Sequence, residues 1–217
     1  MRTLASFSLL SLLVACGASK PPEGAAAAAA DAAQPAPEAA APAFAFGPED
    51  LVGTWVGPCF PSPQGDGSHN QLTFRMTAGA WDLDYTAFGD AACSTKFLTV
   101  NIQGDYTLGG ASAVEAGARE GTFGFRSKTV TPHLDAAVGV VNGACAVTTA
   151  KVGEKLDIGG GCAGLGAYPI ADCASDSDIV RLQGNVLSFG ARPADNNMCT
   201  PEKRPTSFTG GAQVTKQ

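Results

Sequence analysis

Two consecutive runs of strict period-two alternation constrain this chain most. In residues 71–77, Leu72, Phe74 and Met76 fall on one face and Thr73, Arg75 and Thr77 on the other. In residues 81–86, Trp81, Leu83 and Tyr85 alternate with Asp82, Asp84 and Thr86. Period two marks a half-buried β-strand, and the short link Ala78-Gly79-Ala80 makes the two runs a hairpin. Paired strands must turn their apolar faces the same way, because a one-residue slip would expose the whole set. The hairpin is therefore one wall of an antiparallel sheet, with Asp82 and Asp84 on its solvent side.

The rest of the chain extends this pattern. Further strands are expected at 51–57, 97–103, 106–108, 112–116 and 121–126, with Gly104-Asp105 as a tight turn. One helix is expected next: Thr131 as cap, Pro132 in the first turn, Leu134, Ala137, Val138 and Val141 on one face, and Asn142-Gly143 as the stop. Strands at 145–150, 155–158, 178–182 and 186–189 follow, the last two joined by Gly184-Asn185. From Gly47 onward 25 of 171 residues are glycine, about twice the usual ~7%, and Leu-rich helical periods are nearly absent. This excludes a helical bundle and favours a barrel or sandwich of many short strands.

The N-terminus is read by other rules. Met1-Arg2 is followed by an apolar run from Leu4 to Ala15, too short for a ~30 Å hydrocarbon core, and the run ends in Leu13-Val14-Ala15-Cys16. This reads as a secretory signal, and the last four residues resemble a bacterial lipobox. The resemblance implies a diacylglyceryl group on Cys16 and, with Gly17 following, an outer-membrane destination. Residues 1–16 are thus signal and anchor. Residues 17–46 contain 15 Ala and 5 Pro among 30 residues, a tether that reaches about 90 Å if fully extended at ~3.1 Å per residue. Residues 47–217 are the folded domain. Their 12 Lys and Arg against 17 Asp and Glu form no basic cluster, so a nucleic-acid partner is excluded. The partners expected instead are the membrane, through the anchor, a hydrophobic ligand and an envelope protein.

With Cys16 assigned to lipid, Cys59, Cys93, Cys145, Cys162, Cys173 and Cys199 remain. In an oxidising compartment six cysteines imply three disulfides. No Cys-x-x-Cys pair occurs and only His69 and His133 are available, so a zinc site is the poorer reading. Fifteen connectivities are open.

The opening Val52-Gly53-Thr54-Trp55 resembles the Gly-x-Trp entry strand of lipocalin-like barrels. Further along, Cys162-x-x-Leu165-Gly166, Tyr168-Pro169, Leu187-x-x-Gly190-x-Arg192-Pro193-x-Asp195 and the stretch Pro201 to Phe208 resemble the extracellular family named adenomatosis polyposis coli down-regulated. Trp55-x-x-x-Cys59, Phe74, Trp81, Asp90-x-x-Cys93, Gly104-x-Tyr106, Val114, Thr131-Pro132, Asn142 and Cys145 follow the same order. The resemblance implies a mainly β, lipocalin-like half-open antiparallel barrel with one short helix and an apolar interior that accepts a fatty-acyl group. It also implies the pairs Cys59–Cys93 and Cys145–Cys162, leaving Cys173 for Cys199; the main rival joins Cys162 to Cys173. The chain departs from the family in having one copy, a lipid at its N-terminus and the additional Cys173 and Cys199. Antagonism of Wnt signals, known for animal members, is not carried over.

The residues expected to meet the ligand are the alternating set Leu72, Phe74, Met76, Trp81, Leu83, Tyr85, Phe123 and Phe125; the same set suits a solid core, since a small barrel is often filled by its own side chains. No nucleophile elbow, zinc-protease helix, phosphate loop or dinucleotide fingerprint occurs, so no catalytic residue, cofactor or metal is assigned and the chain is read as a non-enzyme. His133 reads as a helix-end residue and His69 as a polar-loop residue. Asp172, Asp176 and Asp178 lack the order of a calcium loop and read as a polar loop.

Overall fold

The computed structural model describes residues 46–217. In chain order it contains β1 (Gly53–Val56), β2 (Phe60–Pro61), β3 (His69–Met76), β4 (Ala80–Phe88), β5 (Lys96–Ala111), β6 (Arg119–Gly124) and β7 (Ser127–Pro132). Then come α1 (Asp135–Cys145), β8 (Leu156–Asp157), β9 (Ser175–Gln183), β10 (Val186–Phe189) and β11 (Gln213–Lys216). Hydrogen bonding runs β3, β1, β11, β10, β9, β6, β5, β4 and back to β3, all antiparallel. The expected mainly β, lipocalin-like barrel with one helix is what the chain forms. Where the resemblance implies a half-open barrel, β11 completes the ring between β1 and β10.

The hairpin of β3 and β4 has the register its alternation demands. Leu72 pairs with Tyr85, Phe74 with Leu83 and Met76 with Trp81, while Thr73 and Arg75 oppose Asp84 and Asp82 on the outside. Arg75 bonds both carboxylates, and Asn101 and Gln103 of β5 donate to the same pair. Inside, rings stack: Phe74 on Phe189 at 4.6 Å, Tyr106 on Phe123 at 5.8 Å, with the Trp81 edge on Phe123 at 5.4 Å. Each fully buried large apolar side chain contributes about 1.5–3 kcal/mol. Trp55 is buried, its Nε1 donating to the Leu51 carbonyl at 2.8 Å. Phe46, counted above with the tether, is packed into this core.

A second apolar cluster lies under α1, where Ala137 and Val141 meet Leu98, Val130 and Ile158. The two clusters share one spine. β5 pairs with β7 over Leu98 to Gln103 and with β6 over Tyr106 to Ala111. Between them residues 124–126 oppose only Gly104 and Asp105, a bulge of one extra residue. At this fork β6 continues the barrel through β9, whereas β7 turns to β8. Gly104 permits the fork, since a Cβ there would stand 1.7 Å from the Gly124 carbonyl oxygen.

Several local expectations are corrected. Gly104-Asp105 is no turn, because β5 runs straight through it, held by β4 on its other edge. Residues 112–116 are bends rather than strand. Thr131 and Pro132 end β7 and do not open the helix, whose N-cap is Leu134 and whose end is Cys145 with Ala146 left-handed beyond it. Residues 146–150 consequently form a loop. His69 lies in β3, and His133 leaves β7 with its Nε2 2.8 Å from the Thr99 hydroxyl. Asp176 and Asp178 stand within β9.

The three disulfides are Cys59–Cys93, Cys145–Cys162 and Cys173–Cys199. They fasten the loop after β1 to the loop after β4, the helix end to the turn after β8, and the start of β9 to the C-terminal loop. Each contributes about 2–4 kcal/mol, in large part by restricting the unfolded chain.

Candidate functional site

The alternating apolar set divides along the barrel axis. Phe74, Met76, Trp81 and Phe123 are buried and pack with Trp55 in one apolar cluster. Leu72, Leu83, Tyr85 and Phe125 face inward but are only half-buried, as are their in-register neighbours Val100 and Ile102 of β5. Two rungs result: Leu72, Tyr85, Val100 and Val130, then Phe74, Leu83, Ile102 and Lys128. Period-two geometry puts every member of a rung on the same face. The inward face therefore carries a strip of partly accessible apolar surface between the ring stack and the cluster under α1. Burial lifts the Tyr85 hydroxyl above its usual pKa, which keeps it neutral against that strip.

At the end of the second rung a group of charges enters the interior. Lys128 is 4% exposed, Asp176 7% and Asp178 5%. β9 supplies the acids on its inward face, because Asp176 pairs with Phe123 and Asp178 with Gly121. Asp178 Oδ1 accepts from the Ile179 amide at 2.7 Å and the Gly190 amide at 2.9 Å. Gly190 allows this approach, since a Cβ would sit 2.7 Å from that oxygen. Burial pushes the Asp178 carboxyl up to about 7, against these amides and the Arg192 charge. Arg192 bonds Asp176 at 2.8 Å. Lys128 donates to the Tyr168 carbonyl at 3.0 Å, and its ammonium lies 3.8 Å from the Phe125 ring centroid.

A separate depression of about 530 Å3 opens around the β3–β4 hairpin edge, between Val52, Met76, Trp81, Arg75 and Arg126. It takes in residues from both sheet faces and is wide open to solvent. Among the described residues the ring partner of His133 is Thr99 rather than a carboxylate, and Thr99 in turn meets Thr86 at 3.1 Å. Burial and the nearby Lys96 hold His133 below its usual value. Among the described residues no group of three or more His, Cys, Asp or Glu is arranged to hold a metal ion. Among them, too, no helix is long and apolar enough to cross a membrane. Cys16, the expected lipidation residue, lies outside the described residues.

Reading the sequence brought the eight apolar residues together but missed Lys128, Asp176, Asp178 and Arg192. The available signal was period two in 127–132, where Lys128 alternates onto the face of Val130, and in 176–180, where Asp176 and Asp178 share the face of Val180. The chain matches no known protein-family model, and no curated protein is similar to it in sequence.

Proposed function

We propose that this protein is a lipid-anchored, lipocalin-like binding protein of the bacterial cell envelope, non-enzymatic, taking a hydrophobic ligand of fatty-acyl character. The observation that carries the reading is the strip of Leu72, Leu83, Tyr85, Val100 and Ile102, which faces the barrel interior yet stays half-buried. Inward apolar surface left partly open in an otherwise packed barrel is where an acyl chain gains most from leaving water, at ~0.8 kcal/mol per methylene. The lipobox at Cys16 and the Ala/Pro-rich tether support placement at the outer membrane. The test is native mass spectrometry of the full chain with added dodecanoate, beside displacement of a neutral naphthylamine fluorophore. One bound acid per chain, lost in Leu83→Trp, is expected; absence of binding in both measurements would overturn the reading.

A second reading has its own support. The ring stack of Phe74, Phe189, Phe123 and Tyr106 fills much of the space that a deep ligand would need, and a filled barrel suits an envelope protein that binds other proteins through its surface. Crosslinking that recovers one stoichiometric protein partner, unchanged in Leu83→Trp, would favour it.

A further inference from the structure

We infer that Lys128 is the anion subsite of the barrel and holds the carboxylate of an amphiphilic ligand whose tail lies across the half-buried strip. The inference rests on the binding reading above and names the polar end of that ligand. Lys128 stands at the end of the rung Leu83, Ile102, Lys128 and is 4% exposed. An ammonium has three donors, and this one uses one of them, on the Tyr168 carbonyl. Among the described residues no carboxylate forms an ion pair with it: the nearby Asp176 is taken by Arg192 at 2.8 Å.

A charge removed from water without a counter-ion is costly, and the Phe125 ring beneath the ammonium offsets part of that cost. Lys128 is thus the one buried cation of the group, beside Asp176, which is ion-paired to the largely exposed Arg192, and Asp178, whose ionisation burial opposes. The local balance favours an incoming anion. Burial lowers the Lys128 pKa, and Asp176 counters it; a carboxylate on the two unused donors would restore the charged form. From Lys128 across Ile102 and Leu83 to β3 there are three strand spacings, about 14 Å at ~4.8 Å each, the reach of a tail of roughly ten methylenes.

The experiment is competition on the full chain in one non-ionic detergent, with the neutral naphthylamine fluorophore displaced by dodecanoate or by dodecanol. The parent is expected to bind the acid at least tenfold more tightly than the alcohol. Lys128→Met, which keeps the stem and removes the charge, is expected to lose that preference, and Lys128→Arg to keep it. Equal displacement by acid and alcohol in the parent would overturn the carboxylate assignment and leave the binding reading standing. Failure of both ligands to displace the fluorophore would overturn the two together. If Lys128→Met loses its near-ultraviolet circular dichroism, the acid-to-alcohol ratio in the parent and in Lys128→Arg decides.

Discussion

Asp178 is an acid built into a barrel wall. Its folded pKa is about 7 against 3.8 for the free group, burial being the main cause. A raised folded pKa means that the stability this group contributes is fully present below about pH 3.8 and is lost as pH rises through 7. Asp178→Asn keeps an acceptor for the Ile179 and Gly190 amides and removes the titration. The variant is therefore expected to match the parent near pH 4 and to exceed it by roughly 4 kcal/mol at pH 8, at ~1.4 kcal/mol per pKa unit over the rise from 3.8 to about 7. Urea unfolding at pH 4, 6 and 8 measures the gap, and a gap that does not grow with pH refutes it. The sequence reading started a strand at Asp178 yet grouped this acid with Asp172 and Asp176 as a polar loop, because an Asp-Ser-Asp stretch ordinarily means a turn. The register of β9 against Phe123 and Gly121 places both Asp176 and Asp178 on the face of Val180. Leu72, Phe74 and Met76 were legible for the opposite reason: polarity and position agree at each step, so pattern alone fixed their face.

At the scale of elements, strongly alternating strands were read almost to the residue, and strands whose stabilisation comes from their neighbours were not. β10 was found at its observed bounds, with Gly184 at positive φ in its turn. β11 was missed, since Gln213 to Lys216 offers Val214 alone as apolar content. It becomes a strand because β1 and β10 each present an edge to it. β7 was missed for another reason: Thr131-Pro132 reads locally as a helix cap and first turn, but the free edge of β5 claims it first. A stop after Gly211 removes β11 and leaves β1 and β10 with unpaired edges and Leu187 and Trp55 uncovered. That truncated chain is expected to lose its cooperative urea transition or to fall by more than ~3 kcal/mol; a change under 1 kcal/mol would mean that ring closure contributes little.

For the whole molecule, the proposed division into anchor, tether and folded domain makes a prediction of its own. Cys16→Ser is expected to move the protein from the membrane fraction to the soluble fraction after cell disruption, with the three disulfides unchanged on mass mapping. Retention at the membrane would refute the lipid anchor. The ring has a further consequence. The hydrogen-bonded path of the sheet ends at β2 and β8, each two residues long, and β2 carries Pro61. Exposed strand edges template pairing with neighbouring chains, and very short or proline-bearing edges prevent it. A population of these barrels, held side by side at high local density, presents almost no backbone to one another. Cross-β coalescence is thus blocked by the geometry of closure itself, independently of charge or of any bound molecule.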